Sequence, residues 1–203
     1  YKYIYSYNNL YLIFMNIGLV KYLKLHGYTQ IYYDDKINDV NNIMAKININ
    51  NIRNIFIVGL DGGFIADYFL TKNNNTKITI FDNEPRVYNH ISEEYLYITY
   101  NERVDIRYSN ILKYSNDYLG PKYDLIFINS DRSQKKNIDY INLTKNLSHK
   151  DTKILMTNTK NIEHYNGAHK CWKKMVTDCK IKEINSITKN KKNGLNISLG
   201  VFV

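Results

Sequence analysis

The sequence predicts an α/β fold: a mainly parallel sheet with helices on both faces and a closing antiparallel hairpin, preceded by a small antiparallel β N-terminal region. Three observations predict it. From residue 54 onward short apolar strands alternate with helical stretches, the pattern of right-handed crossovers in a parallel sheet. The stretch 54–59 is almost wholly apolar, which suits a strand covered on both faces. The last two strands are separated only by a Lys/Asn/Gly-rich turn, so one of them must run antiparallel to the rest.

The elements follow in order. Tyr3, Tyr5 and Tyr7 alternate, and apolar stretches follow at 10–14, 19–25 and 28–33. Asn8-Asn9, residues 16–18 and Gly27 supply turn signals between them, so residues 1–36 are expected to form a small β-region of short strands. A weak helix is expected at 37–45, where Ile37, Val40, Ile43 and Met44 stand near helical spacing. Residues 37–203 are expected to form the main domain. It should run strand 54–59, helix 62–71, strand 77–81, helix 85–95, strand 104–108 and strand 123–128. Then come helix 138–147, strand 153–157, helix 168–179 and strands 181–187 and 195–202. Lys189, Lys191 and Lys192 beside Gly194 mark the expected tip of the closing hairpin.

Composition bounds the partners. The net charge of +9 would suit a nucleic acid. However, Lys, Asn, Ile and Tyr are all abundant and share A/T-rich codons, so a solvated basic surface is favoured over nucleic acid. The apolar stretch 10–20 is broken by Asn16 and Gly18 and falls short of the roughly 20 residues a membrane span needs. No membrane partner is expected. Cys171 and Cys179 lie too far apart on one predicted helix to bridge each other. With no secretory signal in view, they suggest a reducing, cytoplasmic compartment.

The chemistry-bearing residues fall at the carboxyl ends of the predicted strands, where open α/β sheets bind ligands. Ile57-Val58-Gly59-Leu60-Asp61-Gly62-Gly63 links a strand to a helix, with glycines for the tight turn and backbone N–H donors for an anionic or polar ligand. Asp82, about 20 residues beyond that loop, ends the next strand and is placed to accept hydrogen bonds from a ribose diol. Glu84 lies nearby but also suits a helix start. Ser109-Asn110 ends the third strand and could contact a nucleobase; Asn129-Ser130-Asp131 ends the fourth. His164, His169 and Cys171 match no common zinc spacing, so no metal is expected. Trp172 and the alternating tyrosines are read as core and strand filling.

On these residues the chain resembles the spermidine synthase (polyamine aminopropyltransferase) family, whose Rossmann-like fold is that of the class I S-adenosylmethionine-binding proteins. Leu25-His26-Gly27-Tyr28-Thr29-Gln30 stands for the family's Leu-Asp/Asn-Gly-x-x-Gln, and Asp61-Gly62-Gly63 for its Asp-Gly-Gly. Asp82-Asn83-Glu84-Pro85 stands for its Glu-x-Asp-Pro, and Ser109-Asn110-Ile111 for its Gly-Asp-Ala. The resemblance implies that Gln30, Gly59, Asp61, Gly62, Gly63, Asp82 and Asn110 line a site for decarboxylated S-adenosylmethionine or S-adenosylmethionine. It also implies aminopropyl transfer to a diamine such as putrescine, and a homodimer.

The chain departs from that family where the amine would lose its proton. The family's carboxylate falls on Asn129, which cannot take a proton; Asp131 is the substitute candidate, although its side chain should point elsewhere. Loss of a general base costs roughly 10²–10⁴ in rate. Two alternatives therefore stand beside the aminopropyltransferase reading: an S-adenosylmethionine-dependent methyltransferase, including one acting on nucleic acid, and a non-catalytic binding or scaffold relative.

Overall fold

The computed structural model describes residues 18–28, 41–43, 45, 49–83, 87–111, 121–129, 131–160, 166–187 and 196–203. Seven strands form one sheet, ordered β3-β2-β1-β4-β5-β7-β6. They are β1 (Asn54–Val58), β2 (Lys77–Asp82), β3 (Val104–Tyr108), β4 (Tyr123–Ile128), β5 (Ser148–Thr157), β6 (Ile181–Ile187) and β7 (Ile197–Phe202). Pairings from β3 through β5 are parallel, whereas β7 lies antiparallel between β5 and β6. This is the mainly parallel α/β sheet with a closing antiparallel strand that the sequence predicts.

Alternation along the strands divides the core in two. Ile55 and Ile57 of β1, with their neighbours Ile78, Ile80, Leu125 and Phe127, face one side. There they meet α1 (Leu19–Leu25), α2 (Phe64–Lys72) and α3 (Val87–Tyr100). Phe56 and Val58, with Phe81, Ile126 and Ile128, face the other side. That face is covered by α4 (Gln134–Asn146) and α5 (Asn166–Thr177) through Tyr140, Ile141, Cys171, Trp172 and Met175. Both faces of β1 are buried, which is why its sequence carries no polar alternation.

The expected strand at 19–25 is instead the helix α1. Its buried residues are Leu19, Tyr22 and Leu23, a spacing of three and four, while Lys21, Lys24 and Leu25 face outward. A short apolar stretch satisfies both strand and helix patterns; packing against α3 decides here, with the Tyr22 and Tyr95 rings 5.4 Å apart. Each fully buried side chain of this kind contributes about 1.5–3 kcal/mol. The other strands expected before residue 34, and the boundary at residue 36, lie outside the described residues. So does the tip of the closing hairpin at Lys189 to Gly194. Of the weak helix at 37–45, residues 41–43 are helical.

Three further boundaries differ: β5 begins at Ser148 rather than 153, and two helices differ for identifiable reasons. Helix α4 starts at Gln134 rather than 138, because Ser133 caps it: its Oγ accepts from the Lys136 N–H at 3.3 Å. Helix α3 runs on to Tyr100 rather than stopping near 95, burying Tyr95 and Leu96 on the way. Among the described residues, no helix is long and apolar enough to cross a membrane.

Candidate functional site

Strand order reverses between β1 and β4: the chain crosses outward to β2 and β3, then returns to β4 on the other side of β1. A crevice opens at such a switch point, outside the carboxyl ends of the strands. Val58, Asp82 and Ile128 end the three strands that border it.

The first loop is held open by left-handed backbone. Gly59 has φ +88°, and its N–H donates to Phe81 O at 2.7 Å, extending the β1–β2 ladder by one bond. A 3₁₀ turn at Asp61–Gly63 follows, closed by the Gly63 N–H on Leu60 O at 2.8 Å, and then α2 begins. Gly62 and Gly63 also have positive φ, and so does Asp61 at +40°. A non-glycine residue there is uncommon, and such strain concentrates at binding sites.

Asp82 ties this loop to β2. Its Oδ2 accepts from the Leu60 N–H at 2.9 Å and from Asn89 Nδ2 of α3 at 3.2 Å. Asn89 is 1% exposed, and among the described residues its buried Oδ1 meets no hydrogen-bond partner. From the other side of the crevice Asn129 reaches across Gly59: a Cβ built on Gly59 would lie 3.2 Å from Asn129 Cβ. Asn129 also accepts from Thr157 Oγ1 at 3.2 Å, and Asn158 Nδ2 reaches the same Thr157 oxygen at 3.5 Å. The rim along the ends of β4 and β5 is thus a chain of uncharged polar groups. Asn158 adopts φ +57°, a left-handed turn at the end of a central strand.

Among the expected site residues, Gly59, Asp82 and Asn129 are brought together, and Asp61, Gly62 and Gly63 continue from Gly59 in one turn. Asn110 lies exposed, two residues beyond β3. Gln30 and Glu84 lie outside the described residues. Asp131 turns toward α4: its Oδ1 accepts from the Ser133 N–H at 2.7 Å and its Oδ2 meets Lys136 Nζ at 3.3 Å. Its backbone is held by Asn137 in both directions, at 2.9 and 2.7 Å. That carboxylate serves the start of a helix.

Asn89, Thr157, Asn158 and Tyr140 were not singled out by the sequence. Tyr140 is buried, and its phenolic oxygen accepts from Asn83 Nδ2 at 3.2 Å. Burial, then the charge of Asp131, pushes its phenol above the ordinary range, with Asp82 adding to the shift. The strand-end rule that picked out Asn129 applies equally to Thr157 and Asn158. Asn89 and Tyr140 carry no comparable signal, because each reaches the site from a helix face.

No family model and no curated protein matches the chain. Solved structures do. An O-methyltransferase from Bacillus cereus, solved with S-adenosylhomocysteine, superposes with a TM-score of 0.70 at 17% identity, covering 91% of this chain and 90% of that one. The O-methyltransferase TomG from Streptomyces achromogenes, involved in tomaymycin synthesis and solved with S-adenosylmethionine, gives 0.69 at 12% identity, covering 92% and 89%. At these identities the likeness is one of fold: a Rossmann-like sheet of the class I methyltransferase type. It gives the aminopropyltransferase resemblance no support beyond that shared fold.

Proposed function

We propose that this chain binds S-adenosylmethionine at the Gly59–Asp82 crevice and transfers its methyl group to a small hydroxyl-bearing acceptor. The observation that carries the reading is the hydrogen bond from the Leu60 N–H to Asp82, which joins the glycine loop to the acidic strand end at the switch point of this fold. The two solved relatives with S-adenosyl ligands, both O-methyltransferases, support it.

The donor set fits such a ligand. Asp82 offers a carboxylate suited to ribose hydroxyls, and the turn at Asp61–Gly63 offers backbone close enough to approach. When bound, S-adenosylmethionine would supply a methyl carbon on a sulfonium; the acceptor oxygen takes the methyl group, the thioether leaves with the bonding electron pair, and the hydroxyl proton passes to solvent water. Asn129, Thr157 and Asn158 would line the acceptor side with neutral hydrogen-bonding groups. Aminopropyl transfer to a diamine would instead need a carboxylate to hold the cationic end of the amine chain. Asn129 cannot serve, and Asp131 is engaged by Ser133 and Lys136. A non-catalytic adenosyl-binding protein is the second reading, favoured by the same absence of a base at Asn129.

Thermal shift with S-adenosylmethionine, S-adenosylhomocysteine, decarboxylated S-adenosylmethionine and methylthioadenosine tests the proposal. A ligand at 100 times its Kd adds about 2.7 kcal/mol, which raises Tm by several degrees at roughly 2–4 °C per kcal/mol. The two carboxylated ligands should give the larger shifts. A preference for the decarboxylated form would restore the aminopropyltransferase reading, and no shift with any of the four would remove the adenosyl site. Release of S-adenosylhomocysteine in the presence of hydroxyl acceptors separates catalysis from binding.

A further inference from the structure

The buried amide of Asn89 has one satisfied end and one orphaned end. Its Nδ2 donates to Asp82 Oδ2, while its enclosed Oδ1 meets no donor among the described residues. Flipping the amide would set a carbonyl oxygen against a carboxylate, so the orphaned oxygen is the cost of keeping the donor on Asp82. A buried group left unsatisfied beside a strand-end carboxylate calls for an explanation other than packing, which an apolar side chain would serve better.

We infer that Asn89 is a positioning residue: together with the Leu60 N–H it fixes the plane of the Asp82 carboxylate, so that the site selects ligands by their ribose hydroxyls. The two donors converge on one oxygen from different elements, the glycine loop and α3, at 2.9 and 3.2 Å. Two bonds to a single oxygen stop the carboxylate from rotating, which one bond would not. A diol then meets a fixed acceptor geometry, and a ribose without its hydroxyls loses that match. The inference rests on the adenosyl reading of the crevice.

The experiment compares S-adenosylhomocysteine with its 2′,3′-dideoxy analogue by calorimetry on the wild-type protein, Asn89→Leu and Asn89→Asp. Wild type should prefer the hydroxylated ligand. Asn89→Leu should lose about tenfold or more of that preference, the worth of a hydrogen bond to a charged group, with little change toward the dideoxy analogue. Asn89→Asp keeps the size but sets two carboxyls together. Its preference should be low at neutral pH and return on acidification, when one shared proton lets the introduced carboxyl donate to Asp82. The titratable groups that sense Asp82, Tyr108 on β3 and Tyr140 on α4, are both pushed upward and stay neutral through that range. A merely structural role would lower both affinities together and give no recovery with acid. Unchanged ligand ratios in both variants overturn the inference alone; a wild-type protein that binds neither ligand overturns the adenosyl reading and the inference with it.

Discussion

Asn129 lies directly over the α-carbon of Gly59, so closely that a methyl group there would sit 3.2 Å from Asn129 Cβ and 3.5 Å from its Nδ2. The glycine loop and the end of β4 are therefore one packed unit. Gly59→Ala must accept φ +88° as well as that contact. The backbone term alone is about 1–2 kcal/mol. A lower urea midpoint at unchanged slope is expected, and adding Asn129→Gly should recover part of the loss. Full additivity of the two substitutions would show that the residues do not press on each other.

Asn129→Asp returns a carboxylate to the position where an aminopropyltransferase needs one. Under the methyltransferase reading, aminopropyl transfer from decarboxylated S-adenosylmethionine to putrescine stays at background in this variant. The introduced carboxylate would instead accept from Thr157 Oγ1, as the amide oxygen does now. A clear gain of aminopropyl transfer would overturn that reading.

Asp67 of α2 is 7% exposed and takes a hydrogen bond from Tyr100 Oη at 2.6 Å. Burial raises its carboxyl above the usual value of 3.8, outweighing the phenol hydrogen bonds that lower it. The folded state then holds this proton more tightly than the unfolded state. The contribution is present in full below the unfolded value and is lost as pH rises through the folded one. Asn cannot ionise, so the Tm of Asp67→Asn relative to wild type should rise with pH from about 4 upward. A flat difference across that range would mean that the burial cost is met elsewhere.

Gly167, near the start of α5, lies against the loop after β4. A Cβ there would stand 2.0 Å from Arg132 O and 2.6 Å from Gln134 N. Both are backbone atoms, so no rotamer change relieves the clash. Gly167→Ala should be destabilised by about 1–3 kcal/mol despite its better helix propensity. A thermal melt at or above wild type would contradict this packing.

The two thiols should separate cleanly. Cys171 is fully buried, and burial pushes its thiol up to about 12, whereas Cys179 is exposed. One equivalent of a thiol reagent should react with the native protein and two after denaturation. Two rapid equivalents in the native state would mean that α5 opens readily.

The sheet could be read from the sequence because its central strands β1 and β4 are short, mostly apolar stretches, and β3 alternates apolar with polar residues. Gly59, Asp82 and Asn129 could be read for a related reason: parallel strands gather their carboxyl ends on one edge, so position along the chain predicts position in space. Residues that enter the site sideways are not exposed to that logic. Asn89 and Tyr140 look like ordinary positions on helix faces until α3 and α4 are docked. Asp131 shared the strand-end signal yet turned away, because Ser133 and Asn137 offered it a helix start to complete. The stretch 19–25 is a helix rather than the expected strand because seven residues hold too few periods to separate the two when Leu19, Tyr22 and Leu23 carry the pattern.

The order of strands in space also sets an order in time. β7 is the last in sequence of the described strands, yet it sits inside the sheet, with β5 on one side and β6 on the other. Until it is synthesised, β5 and β6 both present unpaired edges, and those edges invite pairing with other chains. A message cut short before Ile197 would thus yield something worse than a slightly trimmed protein: a nearly complete sheet with a slot in it, shaped to accept a strand from a neighbour.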